Sequence, residues 1–349
     1  MEQSLIKRIR WSTFAYGFLT VLVGLFFLSI FEVYFFPHTS PSLAAFVDKM
    51  PYPAVVIGYR EEISFRELAE NMKSVKSFYE NQNFSEIGLR VDFSTEEGKR
   101  RLKIREKEVL NKMIEDRAIV ILAKKRGIFV SQEAAHQGVT RKLEEYGNST
   151  QVKENLKRLY GWDMADFEKK VVLPALYEEK LQEAFLKEAD PVAPARAKIE
   201  KAAELLRQGT VFSDVVKQYS DGQTADSGGD LGWFALADLA PELRIPVASQ
   251  KVGTPGNVIE STLGFHIILV EETKTEKSEQ IYRIRQIFAR KETFADWLSG
   301  KMRDMSIWVL APEYRLDADT ARIEFKDAKW QKFEEELYKK TTGDPSFFL

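Results

Sequence analysis

The N-terminal part of the chain contains a long apolar run. Residues 11–31, WSTFAYGFLTVLVGLFFLSIF, include no charged side chain over 21 positions. About 20 apolar residues in a helix cross the hydrocarbon core of a bilayer, which is roughly 30 Å thick. The run is longer and more aromatic at its ends than a buried core helix, which is the alternative. The pattern therefore predicts a transmembrane helix, and we place the anchor at 11–36.

The charges around this run predict its orientation. Lys7, Arg8 and Arg10 precede it, and positive charge is retained on the cytoplasmic side. Residues 1–10 are then cytoplasmic and the bulk of the chain is extracytoplasmic, in a single-pass membrane protein. A cleaved signal peptide is the alternative, with a weak small-x-small site at Ser42 and Ala44. The apolar run exceeds the usual length of a signal core, which favours an uncleaved anchor.

Helical periodicity dominates the next part of the chain. Residues 37–53 hold four prolines and predict a linker. A short apolar strand and an amphipathic helix follow, with Ser64 as N-cap and Glu67 completing a capping box. Apolar residues recur at helical spacing over roughly 95–126, and further helical segments extend to about residue 188. Pro174 should kink the last of them. The pattern predicts a mainly helical domain over 54–190.

The amino-acid composition limits which reactions and metal sites are open to the chain. The chain has 349 residues, a formal net charge of −2, no cysteine and three scattered histidines, His38, His136 and His266. Thiol chemistry, disulfides and cysteine-ligated metals are excluded, and no HExxH-type spacing points to zinc. A near-neutral charge argues against nucleic acid as a partner. We therefore predict no metal site.

A glycine-rich segment carries the most specific signal. A Pro/Ala-rich boundary at 189–198 is followed by two helices and then by YSDGQTADSGGDLGWF at 219–234. Residues 251–272, KVGTPGNVIESTLGFHIILVEE, end in an alternating strand. Together these motifs resemble a parvulin-type peptidyl-prolyl isomerase over about 195–272. The resemblance implies a small antiparallel sheet with surrounding helices, within an α+β chain, and isomerisation of X–Pro bonds without a cofactor.

The resemblance also implies roles for individual residues. Leu239 and Leu243 occupy the positions of the proline pocket walls, where Met and Phe are usual, and His266 is the histidine of the final strand. Trp233 and Phe234 would shape the rim of the site as a substrate-binding anchor. Ordinary core packing is the alternative for the two leucines and for His266.

The sequence departs from the parvulin pattern at two places. The family has an Asp or Cys shortly after its Tyr-Ser turn, but the loop here is one residue short. Asp221 is the nearest candidate for a catalytic acid, and Gly222 and Asp226 are the alternatives for that position.

The second departure concerns the first strand of the domain. A strand of the A-R-H-I-L-V type normally opens it, yet the matching YRIRQIFAR at 282–290 comes last, with Gln286 in place of the other catalytic histidine. We hypothesise a circularly permuted domain over 195–290, in which FHIILVEE and YRIRQIFAR form a hairpin through the loop TKTEKSEQ. His266 and Gln286 would then lie on one face, amid apolar neighbours.

The order of elements in the helical part resembles the N-terminal chaperone module of the periplasmic survival-factor and foldase family. A generic helical domain is the alternative. Residues 291–349 predict a helix, two strands and a charged amphipathic helix, which we expect to pack back on the chaperone-like domain. The sequence thus predicts a membrane-anchored foldase acting on unfolded or exported proline-containing chains. A catalytically impaired holdase or scaffold is the alternative.

Overall fold

The computed structural model describes residues 11–35, 51–58, 61–82, 92–147, 149–188, 190–276 and 279–340. The basic cluster before the apolar run, the possible cleavage site near Ser42 and most of the predicted linker lie outside these ranges. The chain divides into two compact units. The split unit comprises Met1–Leu181 and Ser299–Leu349, and the inserted unit comprises Gln182–Leu298. The mixed helix-and-sheet class predicted from the sequence is confirmed.

The apolar run forms one continuous helix, α1, Trp11–Phe35. Its segment Phe18–Phe35 has a mean hydropathy of 2.2 and is almost wholly exposed, and it is the one candidate membrane span among the described residues. Length and composition alone make it a candidate.

The other helices of the split unit start where capping side chains are available. Ser64, Thr95 and Ser131 each accept a backbone N–H of the first helical turn, and Asp163 forms a capping box. The helices are α2 (Phe65–Asn81), α3 (Glu96–Lys125), α4 (Gln132–Glu145), α5 (Ser149–Asn155), α6 (Met164–Phe167), α7 (Leu173–Glu188), α11 (Phe294–Arg303) and α12 (Ala328–Lys340), of which α7 and α11 cross the division between the units.

Two π-helical turns, Leu156–Tyr160 and Glu168–Val172, interrupt this helical series. The second one lies directly before Pro174, where the sequence predicted a kink. Proline cannot supply the N–H for a regular turn, and a wider turn accommodates that loss. The interruption is therefore a π-helical turn placed just N-terminal to the proline.

The strands of the split unit come from both ends of the chain. They are β1 (Pro53–Ile57), β2 (Glu61–Ser64), β7 (Ile307–Val309), β8 (Tyr314–Leu316) and β9 (Ile323–Phe325). β1 is central, with β2 and β7 antiparallel on its two sides, and Val55 lies opposite Val309. β8 and β9 form a separate hairpin. The C-terminal segment thus completes a sheet that begins near residue 53.

The inserted unit contains three helices and four strands. The helices are α8 (Ala193–Arg207), α9 (Phe212–Tyr219) and α10 (Pro241–Ser249), and the strands are β3 (Asp230–Ala235), β4 (Ile259–Glu260), β5 (Gly264–Glu276) and β6 (Glu279–Arg290). The sheet order is β3-β6-β5-β4, and every neighbouring pair is antiparallel.

β5 and β6 pair along almost their whole length, from Gly264 opposite Arg290 to Glu276 opposite Glu279. The prediction that 273–280 forms a loop is wrong, because only residues 277–278 separate the two strands. Alternating threonines and charged residues suit an exposed two-stranded ladder, so polarity did not imply a loop here.

Candidate functional site

The inserted sheet has two faces, and strand alternation decides which residues each contains. His266, Ile268 and Val270 of β5 share one face with Phe288, Gln286 and Ile284, their partners in β6. We call this the histidine face. Phe265, Ile267, Ile287 and Ala289 point to the opposite face, where they are buried with Ile199 and Ala202 of α8 and Val215 and Val216 of α9.

His266 is enclosed by two groups on the histidine face. Its side chain is buried, with 6 % of the residue exposed. Nε2 lies 2.8 Å from Oγ of Ser261, and the ring of Phe288 stacks on the imidazole with centroids 4.8 Å apart and planes at 27°. Ser261 Oγ also lies within hydrogen-bonding distance of the N–H groups of Leu263 and Gly264. Ser261 Oγ also lies 3.2 Å from the Gly264 carbonyl and can donate to it, so the hydroxyl can either donate to Nε2 or accept a proton from it.

The surroundings of His266 keep it neutral. Burial lowers the pKa of His266 below its usual 6.5, and the Gln286 amide and the Glu242 carboxylate oppose that shift without overcoming it. Nδ1 makes no hydrogen bond of normal geometry to the described residues. The neutral imidazole thus has one buried nitrogen whose hydrogen-bonding capacity the described residues do not use.

Gln286 lies on the same face as His266, one cross-strand pair away. It is half-buried opposite Ile268, and its backbone N–H donates to the Gly229 carbonyl at 2.9 Å. The glycine-rich loop therefore binds β6 at Gln286, the residue that the sequence pattern aligns with the other histidine of parvulins. Alternation alone predicted that His266 and Gln286 share a face, and the register of the two strands agrees.

Leu239 and Leu243 lie beside this face. They are 7 % and 6 % exposed and pack with Ile268, Val270 and Ile284. Phe234 packs partly buried against the same cluster. The structure therefore brings both leucines and Phe234 to the apolar surface on the same sheet face as the histidine.

Trp233 does not join this group. It precedes Phe234 in β3 and lies opposite Arg283, so its side chain emerges on the other face of the sheet. It is 37 % exposed, with Nζ of Lys274 4.5 Å from its ring centroid. Adjacent strand residues point to opposite faces, so the expectation that Trp233 and Phe234 line one site is corrected for Trp233.

The structure does not bring Asp221 to His266 either. The backbone N–H of Asp221 donates to the Phe288 carbonyl at 2.7 Å, and its Oδ2 accepts from the Arg290 N–H at 3.0 Å. Its other oxygen pairs with Lys198 of α8. Asp221 thus satisfies the edge of β6 and is held by a helix on the sheet face opposite His266.

Gly222 takes the place next to Phe288. A side-chain carbon added to it would lie 3.8 Å from Cβ of Phe288 and 3.3 Å from Oγ of Ser220. Asp226, the remaining candidate acid, is exposed in a short 3-10 turn, Ala225–Ser227. Gly222 therefore leaves a position beside Cβ of Phe288 without a side chain.

Sequence reasoning missed Ser261 and Phe288 as neighbours of the imidazole. The backbone N–H of Ser261 donates to the Gly264 carbonyl, so Thr262 and Leu263 form a two-residue turn. A short hairpin in the segment ESTLGFH would have placed Ser261 on the face of His266. Phe288 could have been found from its cross-strand register with His266, once the hairpin was accepted.

Asp230 of the glycine-rich motif has a structural role. It accepts the Gly232 N–H at 2.9 Å and a hydrogen bond from Arg283 at 2.9 Å. These contacts lower the pKa of the Asp230 carboxyl, with the Arg283 hydrogen bond as the larger cause.

Comparison with known proteins places the motifs in a family. Residues 179–272 match the family model described as the PPIC-type PPIase domain, or rotamase. The resemblance of this segment to parvulin-type isomerases is confirmed.

Curated relatives extend the similarity beyond that segment. The chaperone SurA of Chromobacterium violaceum is 32 % identical over 123 residues, 34 % of this chain and 28 % of the relative. The chaperone SurA of Nitrosococcus oceani is 26 % identical over 241 residues, 57 % of this chain and 56 % of the relative. The chain thus spans between about a quarter and somewhat more than half of the length of these relatives. The longer match supports the resemblance of the helical part to a chaperone module.

Among solved structures, the peptidylprolyl isomerase PrsA from Bacillus anthracis is 19 % identical. The match covers 67 % of this chain and 97 % of that chain, with a TM-score of 0.20.

Proposed function

We propose that this chain, which carries a PPIC-type, or parvulin-type, peptidyl-prolyl isomerase domain, is a foldase that binds unfolded polypeptides and accelerates isomerisation of their X–Pro bonds. One observation supports this above others. His266, hydrogen-bonded to Ser261 and stacked on Phe288, shares a sheet face with the apolar surface of Leu239 and Leu243.

The reaction needs neither a nucleophile nor a cofactor. Rotation about an X–Pro bond has a barrier of about 20 kcal/mol, because the twisted amide loses its resonance. An apolar surface holds the proline ring, and polar groups close to the bond stabilise the twisted amide. A neutral His266 supplies such a group without a proton transfer.

The same geometry predicts a modest rate. Gln286 does not titrate, and Gly222 leaves no acid beside Phe288. The leucine pocket is less aromatic than the one usual in the family. We expect faster isomerisation than in solution, but slower than in a parvulin that has both histidines and an acid.

A protease-coupled peptide assay on the full-length chain in detergent tests this proposal. We expect His266→Ala to lower the catalysed rate at least about tenfold. Asp226→Ala, at an exposed position away from the histidine face, should leave it unchanged. A wild-type rate equal to the uncatalysed one would reject the enzyme.

A holdase without catalysis is the second candidate function, and Gln286 and Gly222 favour it. Suppression of aggregation of an unfolded client by wild type, with no isomerase activity, would support this candidate. His266→Ala should suppress aggregation as well as wild type under either hypothesis.

We also propose that α1 anchors the chain in a membrane, with the N-terminus cytoplasmic and the bulk outside. The exposed apolar surface of α1 and the preceding basic residues support this. Mass spectrometry of the mature membrane fraction should detect residues 1–10. A mature N-terminus near Ala45 would contradict the anchor and support a signal peptide.

Finally, we propose that the isomerase domain is circularly permuted. Two contacts support this proposal. β6 pairs with β5, and the Glu292 N–H donates to the Pro191 carbonyl at 3.1 Å. The chain after β6 thus lies beside the chain before α8. A rearranged domain, with 279–292 joined by a short linker to 191–276, should fold cooperatively. Failure of this protein to fold would argue against the permuted arrangement.

A further inference from the structure

The outer edge of β4 is an open sheet edge in the inserted unit. The sheet order places β4 last, next to β5. Ser261 bonds Gly264, and Ile259 lies opposite His266. Alternate residues of an antiparallel strand bond the partner strand, so Val258 and Glu260 direct their N–H and C=O groups outward. Within the described ranges, no backbone group bonds to them.

A groove runs beside this edge. It has a volume of about 640 Å³ and lies between α8 and residues 254–260. Ala203, Leu206 and Phe265 give it an apolar side, and Val258, 38 % exposed, borders it. The rest of the groove is lined by polar and charged side chains, among them Arg196, Glu200 and Arg207. An open strand edge next to a groove of mixed apolar and polar character can bind an added strand, whose backbone bonds the edge while alternate side chains enter the groove.

The charges along α8 are not balanced at the two ends of the groove. At one end Arg196 lies 3.9 Å from Glu260, and Lys291 pairs with Glu260 at 2.9 Å. At the other end, Arg207 has no ion-pair partner among the described residues. Glu200 also lines the groove and Glu204 interacts with Arg207 at longer range, so an acidic side chain of a bound peptide would compete with these carboxylates for Arg207.

We propose that this edge and groove bind an extended polypeptide segment as an additional strand beside β4. An apolar side chain enters the groove and an acidic neighbour approaches Arg207. An extended backbone repeats its outward donors and acceptors every two residues, about 6.8 Å, which matches the spacing of Val258 and Glu260. Backbone bonds make the binding tolerant of sequence, as holding unfolded chains requires. The inference rests on the proposed function only in taking an unfolded chain as the client.

The groove is separate from the candidate isomerase site. It is bordered by Phe265 and α8, on the sheet face opposite His266. A client held on the β4 edge is therefore bound by the inserted unit without occupying the histidine face.

Backbone-methylated peptides test the proposal on the full-length chain in detergent. The probe is a fluorescein-labelled octapeptide that alternates valine and threonine and contains one glutamate. Two isomers carry N-methyl groups on alternate amides, one set on the valines and the other on the threonines. Only one set of amides faces β4, so one isomer should bind about tenfold more weakly than the other by fluorescence anisotropy. Equal affinities of the two isomers would overturn the proposal.

Two pairs of variants locate the site. Val258→Pro removes one outward N–H and should weaken binding of the unmethylated peptide about tenfold, whereas Val258→Ala should stay within about threefold. Arg207→Glu should weaken binding of the unmethylated peptide about threefold, and it should weaken binding of a peptide with glutamine in place of glutamate by less. Lys201→Glu reverses an equal charge on α8 outside the groove, and it should not weaken binding. A folded Val258→Pro that binds like wild type contradicts the proposal. If Val258→Pro does not fold, the comparison of the two methylated isomers on the wild-type chain tests the proposal instead.

The isomerase proposal and the β4 proposal can be refuted independently of each other. A chain that distinguishes the two isomers but does not accelerate X–Pro isomerisation supports the β4 site and refutes only the enzyme. A chain that catalyses isomerisation but binds both isomers equally refutes only the β4 site.

Discussion

His266 is a buried imidazole whose neighbours are mostly unable to carry charge. Ser261 and Phe288 contact its nitrogen and its ring face, and Gln286 lies one cross-strand pair away. Desolvation therefore dominates its titration, and the charged form is disfavoured in the folded chain.

This environment predicts how stability depends on pH. The pKa of His266 is lowered from 6.5 in the folded state, so the unfolded state takes up its proton first as pH falls. The free energy of unfolding should therefore decrease as pH drops below about 6.5.

Urea unfolding of wild type and His266→Gln at several pH values checks this expectation. The decrease should be smaller in the variant, which has no imidazole at this position. His136→Gln, at an exposed site, is the control and should behave like wild type. A variant and wild type with the same pH dependence would contradict this assignment.

Gly222 is the position where a single side chain should change the rate. It does not adopt a left-handed conformation, and an added Cβ would be only a few tenths of an ångström too close to Ser220 Oγ. Gly222→Asp places a carboxylate beside Phe288, whose ring stacks on His266. We expect isomerisation to rise about threefold to tenfold by electrostatic stabilisation.

Gly222→Ala adds the same carbon without the charge and is the matched control in the protease-coupled assay. If alanine and aspartate have the same effect, the change comes from the backbone, and no acid is missing at this site.

The glycine-rich loop and the β5–β6 hairpin form one structure. Gln286 N–H donates to Gly229, and Phe288 N–H to Oγ of Ser220, so the loop completes the edge of β6 beyond β3. Because the loop backbone approaches β6 closely, its glycines are required by space as well as by dihedral angle.

Gly229 and Gly232 distinguish the requirement for space next to β6 from the requirement for a left-handed backbone. Gly229 and Gly232 have φ of +80° and +82°, but a Cβ on Gly229 would lie 2.4 Å from the Gln286 carbonyl, whereas Gly232 has no atom within 4 Å. Gly232→Ala should cost about 1 kcal/mol of unfolding free energy from backbone strain alone. Gly229→Ala should cost about 3 kcal/mol or more, since a strand must also move.

Thermal and urea unfolding of the two variants measure this difference. Similar losses in both would show that the loop relaxes away from β6 easily.

The split unit depends on both ends of the chain. β7 supplies a neighbour for β1, and buried Asn111 of α3 bonds both backbone groups of Ile323, at 3.2 Å and 2.7 Å. Tyr314 and Phe325 of the β8–β9 hairpin are also fully buried. Residues more than 200 positions apart thus share one core.

A chain ending at Leu298 should therefore lose the split unit selectively. Without β7 and the β8–β9 hairpin, β1 has an open edge and Asn111 has an unsatisfied buried amide. Hydrogen exchange should show loss of protection in β1 and α3. Amides of β5 and β6 should remain protected, as the internal control. Unchanged protection of β1 would contradict this account.

Local patterns were enough for much of this protein. The capping residue Ser64 predicted the start of a helix, because a cap acts within a few residues of the chain. Motif order predicted the parvulin-type domain, and alternation predicted that His266 and Gln286 share a face. These features depend on neighbours along the chain.

Contacts between distant segments decided the rest. The pairing of Gly264–Glu276 with Glu279–Arg290 turned a predicted polar loop into strand, and register placed Phe288 on His266. The carboxylate of Asp221 pairs with Lys198 and with the edge of β6, Gly222 lies beside Phe288, and strand alternation places Trp233 on the opposite face. Such outcomes depend on which groups meet across the sheet, and a one-residue shift in register would move Phe288 and Trp233 to the other face.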